Sequence, residues 1–171
     1  MGFDDLTTIL IAREMDISVG TLYHYFPNKH AILNAIAHQW LVEYNAALDE
    51  IENWKLEKMS LSRFCQSSVD VLYDVYQTQR GILPLIAAIS AVPELRELDD
   101  EHDRVVVERL SGIFKRLGIK AGKADLARLG MMFLEMTHAL LMVAMEQRGV
   151  QRSRSLGNIR TMAETLLKSS S

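Results

Sequence analysis

The sequence is poor in residues that cross-link or interrupt a chain, with one cysteine, three prolines and nine glycines among 171 residues. The single cysteine, Cys65, excludes an internal disulfide framework and fits a reducing cytoplasm. No apolar run reaches the ~18 residues that a membrane-spanning helix needs. Residues 1–5 lack the basic and apolar regions of a signal peptide. We therefore expect a cytoplasmic protein with no membrane partner.

The composition excludes disorder as the main state of the chain. Apolar residues make up 49% and charged residues 24%, which is the balance of an ordinary globular protein with enough apolar surface to pack. The scarcity of proline and glycine leaves long uninterrupted stretches, which favours helices. The length allows one large domain, or a small domain beside a larger one.

The charge is unevenly distributed along the chain. The net charge of −3 divides into −2 over residues 1–40, −5 over residues 41–119 and +4 over residues 120–171. Nucleic-acid-binding proteins often show a basic footprint, so the overall charge argues mildly against DNA binding. The positive balance of the last segment is interpreted as a solvated rim, and a second DNA contact there is the alternative.

The dominant periodicity is helical and no convincing strand pattern is present, so the predicted fold class is all-α. Helices are predicted at about 7–15, 18–26, 28–53, 60–81, 82–91, 93–118, 123–148 and 154–168. Glycines are expected to end three of them, at Gly81, Gly118 and Gly149. The helix over 123–148 is apolar on two faces, which predicts burial on two sides.

Two short helices joined by a tight turn and followed by a long helix predict a helix-turn-helix. The turn needs a residue that tolerates the left-handed conformation, and Asp16 is acceptable there. In the second helix Leu22 and Phe26 are expected to face inward. The remaining hydroxyl and aromatic side chains suit phosphate contacts. The alternative is that Tyr23, Tyr25 and Phe26 merely pack the small domain.

These residues resemble the signature of the TetR (tetracycline-repressor-like) family of bacterial transcriptional regulators. The matching positions are Ile11-Ala12, Ile17-Ser18, Gly20-Thr21-Leu22-Tyr23, Tyr25-Phe26, Asn28-Lys29 and Leu33. The match covers residues 2–33, and the rest of the chain is similar only in its helical layout and length. The resemblance implies a DNA-binding head and a C-terminal helical domain that binds a small effector and dimerises.

The resemblance makes residues 19–26 the core of a recognition helix. It places four residues near base edges or the groove floor: Val19, Gly20, Thr21 and His24. It assigns phosphate contacts to Tyr23, Tyr25 and Lys29, with Thr8 and Ser18 helping at helix N-termini. His24 either donates to a guanine or thymine acceptor in the major groove, or contacts phosphate or solvent instead.

The sequence departs from the family pattern in two places. Asp16 stands where the family usually has glycine, and the full helix that precedes the motif in the family is expected to be missing here. We expect a head over residues 1–45 and a sensing and dimerisation domain over residues 46–171. If the first helix is absent in the cell, the alternative function is a ligand-binding helical dimer without DNA-binding activity.

The larger domain is expected to hold the effector and the dimer interface. Candidate pocket walls are Phe64, Leu72, Tyr73, Tyr76, Ile86, Ile89, Phe114, Phe133 and Met136. Methionine-rich surfaces adapt to apolar ligands, although any one of these side chains could simply fill the core. The last two long helices are expected to pair with those of a second copy in a homodimer.

Other groups of polar residues in the sequence do not indicate a metal site or a catalytic site. No metal site is expected among Asp99, Asp100, His102 and Asp103, because these charges fit a solvated helix start. His138 is interpreted as a hydrogen-bonded core or pocket histidine, and Cys65 as a small buried hydrophobe. No catalytic triad, phosphate loop or HExxH motif is present, so we expect neither an enzyme nor a cofactor.

The combined prediction is a homodimeric transcriptional regulator that acts as a repressor. Two recognition helices are expected to enter successive major grooves of a double-stranded, palindromic operator, about 34–36 Å apart. A small apolar or amphipathic effector is expected to favour a dimer whose heads are wrongly spaced for DNA. The long helix over 28–53 is the expected lever between the pocket and the head.

Overall fold

The computed structural model describes residue 12, residues 16–83, residue 86 and residues 96–169. These residues form six α-helices and two short 3-10 turns, and no strand occurs among them. The helices are α1 (Val19–Tyr25), α2 (Lys29–Glu52), α3 (Leu61–Thr78), α4 (Arg96–Arg116), α5 (Lys123–Glu146) and α6 (Gly149–Lys168). The 3-10 turns are Leu56–Lys58 and Arg80–Ile82. The all-α fold class is confirmed.

Three polar side chains start helices where the sequence predicts. The N-cap residues of α1, α2 and α3 are Ser18, Asn28 and Ser60. Each accepts a hydrogen bond from the backbone N–H three residues later, at 2.9, 2.9 and 3.3 Å respectively. These bonds satisfy donors that have no partner within the helix, which fixes where the helix begins. Asp16 takes the predicted left-handed conformation, with φ at 53°.

The predicted helix ends are confirmed at one glycine and wrong at two. Gly118 has φ at 87° and follows the last residues of α4. Helix α3 ends earlier than predicted, at Thr78, whose hydroxyl bonds to two carbonyls of the preceding turn, and Gly81 lies in a 3-10 turn. Gly149 has φ at 53° and begins α6 rather than ending α5, because two extended residues suffice to reverse the chain.

Some predictions fall on residues that the structure does not describe. They include most of the helices predicted over 7–15 and 82–91 and the start of the helix predicted over 93–118, together with Thr8 and Ile89.

Contacts between helix ends set the directions of the five longer helices. At one end, Arg116 of α4 donates to the carbonyl of Trp54, just after α2. At the other end, Arg80 after α3 donates to the carbonyl of Met145 in α5. Helices α2, α4 and α6 therefore run away from α1, and α3 and α5 run back toward it. We call the end near Arg80 the head-side end.

Helix α2 belongs to two hydrophobic clusters. In the small cluster beside α1 the buried residues are Ala12, Leu22 and Ile32. The main core of the bundle includes Trp40 and Ile51 from the same helix. Ile36 packs against both clusters, so α2 joins the head to the bundle through continuous packing.

Helix α5 is long and apolar enough to cross a membrane by length and composition, although Glu135 interrupts its apolar run. Core helices pass the same test, and Leu129, Phe133 and Leu141 of α5 are fully buried in the bundle. Only 39% of its most apolar 18-residue window is buried within one protomer. Apolar side chains therefore remain on the outside of α5, including Met132 and Val143.

Candidate nucleic-acid interface

Helix α1 is held by one face and presents the other to solvent. Leu22 is 1% exposed in the small cluster, and Phe26 packs against that cluster from the C-terminal end of the helix. Both residues face inward as predicted. Tyr23 and Tyr25 are 46% and 72% exposed, so the alternative that these two rings pack the small domain is wrong.

The first turn of α1 carries a fixed pair of hydroxyl groups. Ser18 Oγ accepts from the backbone N–H of Thr21 at 2.9 Å and lies 2.8 Å from Thr21 Oγ1. Both residues are exposed. Val19, half-buried, packs against the small cluster and so anchors this turn from the other side. The turn presents a pre-oriented polar edge of the kind that contacts phosphate oxygens.

Gly20 lies in the same turn without a structural need for glycine. A Cβ built on it meets only Ser18 Oγ, at 3.7 Å, which is ordinary van der Waals contact. Its φ lies outside the left-handed region. Neither packing nor backbone conformation within the described protomer requires glycine at this position. The absence of a side chain leaves room for a ligand to approach the backbone closely.

The last turn of α1 carries His24 beside Tyr25. Their rings meet edge to face with centroids 5.3 Å apart, and both side chains are exposed. Lys29 begins α2 four residues after the end of this turn, and the structure does not describe its side chain. Apart from half-buried Val19, the predicted DNA contacts whose side chains the structure describes are exposed on α1 or at its N-cap.

A second group of polar and aromatic side chains lies inside the bundle. Tyr76 of α3 and His138 of α5 are hydrogen-bonded, with 2.6 Å between the hydroxyl and Nδ1. The Trp40 ring meets Tyr76 edge to face at 4.9 Å, and the Tyr44 ring meets His102 at 5.4 Å. We call these five residues the interior cluster. The sequence predicts Tyr76 and the hydrogen-bonded His138, whereas Trp40 and Tyr44 are missing from the predicted pocket, although their i, i+4 spacing is a signal for them.

Burial controls protonation in the interior cluster. Desolvation, assisted by the nearby His138, lowers the pKa of His102 to about 4, so the imidazole is neutral at pH 7. Desolvation also raises the pKa of Tyr44, and the charge of Asp103 adds to this effect. The pKa of Tyr76 is likewise raised, chiefly by burial. His102, Tyr44 and Tyr76 therefore offer neutral donors and acceptors within an apolar interior.

The structure divides the other predicted pocket residues into separate environments. Phe64, Phe114 and Phe133 contact one another through their rings, at centroid distances of 5.6 to 6.3 Å, and fill the core. Leu72 and Ile86 are buried, whereas Met136 is half-buried. Half-buried Tyr73 faces α6, where its hydroxyl accepts from Arg152 at 3.0 Å.

Metal binding and thiol chemistry find little support in the part of the chain that the structure describes. No group of three or more histidine, cysteine, aspartate or glutamate residues there is arranged to hold a metal ion. Cys65 is buried as predicted, and desolvation raises the pKa of its thiol to about 12. A thiol with so high a pKa is a poor nucleophile at neutral pH.

Comparison with known families identifies both parts of the chain. Residues 1–36 match the family described as bacterial regulatory proteins, tetR family. Residues 60–167 match the family described as tetracyclin repressor-like, C-terminal domain. Among curated proteins, none matches the chain.

Proposed function

Because the chain belongs to the tetR family and is a DNA-binding transcriptional regulator, we propose that it is a homodimeric repressor of a palindromic operator. Regulators of this family are generally non-enzymatic. We assign DNA binding to residues 1–45, and effector binding and dimerisation to residues 46–171. A small apolar or amphipathic effector binds the bundle and releases the DNA.

The exposed surface of α1 is the observation that carries this proposal. Thr21, Tyr23 and His24 project from a helix whose opposite face is anchored through Leu22. Two such helices, about 34 Å apart in a twofold dimer, fit successive major grooves on one side of a duplex. Val19, Gly20, Thr21 and His24 are assigned to the groove, whereas Thr8, Ser18, Tyr23, Tyr25 and Lys29 are assigned to the backbone.

The test is selection of bound sequences from a randomised duplex pool. We expect a palindrome whose half-site centres lie about 10 base pairs apart, or a multiple of that spacing. His24→Ala should relax the preferred base at one position of each half-site, where a good base contact provides about 1–3 kcal/mol of discrimination. Lys29→Ala and Tyr23→Phe should weaken binding to all sequences alike. Unchanged affinity in both of these variants would contradict the assignment.

The dimer is proposed to form through α5 and α6. The exposed residues Met132, Ala139 and Val143 lie on one stripe of α5, and Val150 and Met162 are exposed on α6. Large apolar side chains exposed on the outside of two neighbouring helices favour a protein-protein interface there. When the same surface of a second copy covers these side chains, α5 and α6 of both copies form a twofold four-helix contact. Both heads then lie on the same side of the dimer.

The interior cluster is proposed to orient the effector. A pocket that is mostly apolar with a few polar groups suits an amphipathic ligand, and Tyr76 and His138 supply such groups. From α2, the helix that carries α1, Trp40 contacts Tyr76 and Tyr44 contacts His102. A ligand that displaces them shifts α2, and it can release DNA only if it binds the shifted state more tightly.

Small molecules that co-purify with the protein provide the test of the effector. The protein is extracted with organic solvent, and the released compounds are identified by mass spectrometry. We expect a released compound to weaken DNA binding when added back to the stripped wild-type protein. His138→Leu should require a higher concentration for the same effect while binding DNA normally without it. Equal sensitivity of the two proteins would place the effector elsewhere.

A further inference from the structure

A group of arginines lies at the head-side end of the bundle, where α3 ends and α5 turns into α6. We call them the turn arginines: Arg80, Arg148, Arg152 and Arg154. Arg80, Arg148 and Arg154 are exposed, and Arg152 is half-buried. None of the four forms an ion pair with an acidic residue that the structure describes.

Two of these side chains are tied to the turn by hydrogen bonds. Arg80 Nη2 donates to the carbonyl of Met145 at 3.3 Å. Arg152 donates through Nε and Nη2 to the carbonyl of Gln147, at 3.0 and 2.6 Å, and through Nη1 to the hydroxyl of Tyr73. Because these bonds go to neutral acceptors, the positive charges are held in place and remain uncompensated.

The position of the turn arginines along the bundle brings them toward DNA. Glu146, the last residue of α5, lies eight residues beyond His138, or about 12 Å along the helix axis. The same distance along α2, measured from Trp40 toward the head, reaches Ile32 in the small cluster. The turn arginines thus lie at the end of the bundle from which α2 continues to the head.

The local charge at this turn is positive. Glu146 and Asp74 are the exposed acidic residues in the turns that carry the four arginines. The acidic first turns of α4 lie on a different flank, because α5 packs between α4 and α6. In the proposed dimer the α5–α6 turns of both copies approach the twofold axis, which doubles the positive charge facing the centre of the operator.

We propose that the turn arginines form a second, sequence-independent contact surface for the DNA backbone. This inference rests on the proposed function, since it requires the dimer to sit on a duplex. The surface supplies the positive charge that residues 1–40 lack, with their net charge of −2. It neutralises phosphates between the two half-sites, while α1 reads the bases within them.

The salt dependence of binding to a mixed-sequence 40-base-pair duplex, followed by fluorescence anisotropy, tests the proposal. The test variant is Arg148→Gln/Arg154→Gln. The matched control is Lys115→Gln/Lys120→Gln, which removes two exposed positive charges at the opposite end of the bundle. Sedimentation velocity on each protein verifies that the oligomeric state is unchanged.

The slope of log affinity against log salt is negative, and each phosphate that the protein no longer neutralises reduces the magnitude of that slope by about 0.9. We expect the magnitude to decrease by about 2 or more in the test variant and to match the wild-type protein in the control. Between 50 and 200 mM salt, a decrease of 2 makes the weakening of binding roughly 16-fold smaller. Equal slopes for the two double variants would overturn the second contact surface while leaving DNA binding by α1 intact. A wild-type protein that binds no duplex would overturn the proposed function itself.

Discussion

Arg109 of α4 binds both carboxylate oxygens of Glu52 at the end of α2. Its Nε lies 2.9 Å from one oxygen and its Nη2 lies 2.8 Å from the other. The remaining Nη1 donates to the backbone and side-chain oxygens of Asn45, at 3.3 and 3.2 Å. Fifty-seven residues separate the two partners, so this bidentate pair fixes the last two turns of α2 against α4.

Replacing this arginine should lower the free energy of unfolding. The side chain of Arg109 is only 18% exposed, and in Arg109→Met the carboxylate of Glu52 loses this partner. We expect the free energy of unfolding to decrease by about 1–2 kcal/mol. Urea unfolding followed by circular dichroism measures the change. Arg104→Met is the matched control, because Arg104 forms a similar bidentate pair with Glu101 within α4 but is 64% exposed. Its unfolding midpoint should stay at the wild-type value, and equal decreases in both variants would contradict this account.

The partly buried hydrogen bond between Tyr76 and His138 gives a second stability prediction. Tyr76→Phe removes the hydroxyl while keeping the ring against Trp40, and it leaves Nδ1 of half-buried His138 without this partner. We expect the free energy of unfolding to fall by about 1–3 kcal/mol. The double variant Tyr76→Phe/His138→Leu should recover part of that decrease, because both polar groups are then absent. A double-mutant cycle on urea unfolding measures the coupling, and additive effects would rule out a significant bond.

Local signals in the sequence predict the head well, and they predict less of the bundle interior. Ser18 as a cap, Asp16 as a left-handed turn residue and Leu22 as an anchor all follow from neighbours within four residues. The pair of Arg109 and Glu52 depends on which helices become neighbours, and no local periodicity encodes that. Gly149 shows the same limit, since the sequence predicts a break in the chain there but not the helix that begins with this glycine.

Acid should destabilise the protein through His102. Its folded-state pKa of about 4 lies below the ordinary value of 6.5, so the unfolded chain binds the extra proton first. The stabilising effect is complete above pH 6.5 and is lost progressively as pH falls from 6.5 to 4. At pH 5 the decrease amounts to at most about 2 kcal/mol relative to pH 7.5. Urea unfolding of the wild-type protein and His102→Phe over this range checks the prediction, and the variant should show a shallower dependence.

Two helical glycines should respond in opposite ways to alanine. A Cβ on buried Gly130 in α5 meets the carbonyl oxygen of Val107 in α4 at 3.1 Å, where backbone must shift. Gly130→Ala should therefore destabilise the protein, by about 1 kcal/mol after the gain in helix propensity. Gly112 in α4 is exposed, with nothing within 4 Å of its Cβ position, so Gly112→Ala should stabilise by about 0.5–1 kcal/mol. Thermal unfolding of the two variants should shift the midpoint in opposite directions.

A single charge on the outer stripe of α5 should separate the proposed dimer. Val143 is 52% exposed in the protomer, so Val143→Asp should leave the protomer folded and bury two unpaired carboxylates in the interface. We expect the dissociation constant of the dimer to rise at least about 100-fold, which corresponds to about 2.8 kcal/mol. Val42→Asp is the matched control, because Val42 is 61% exposed on α2, outside the proposed interface. Sedimentation velocity at micromolar concentration should show monomers only for Val143→Asp, whereas dimers in both variants would place the interface on another surface.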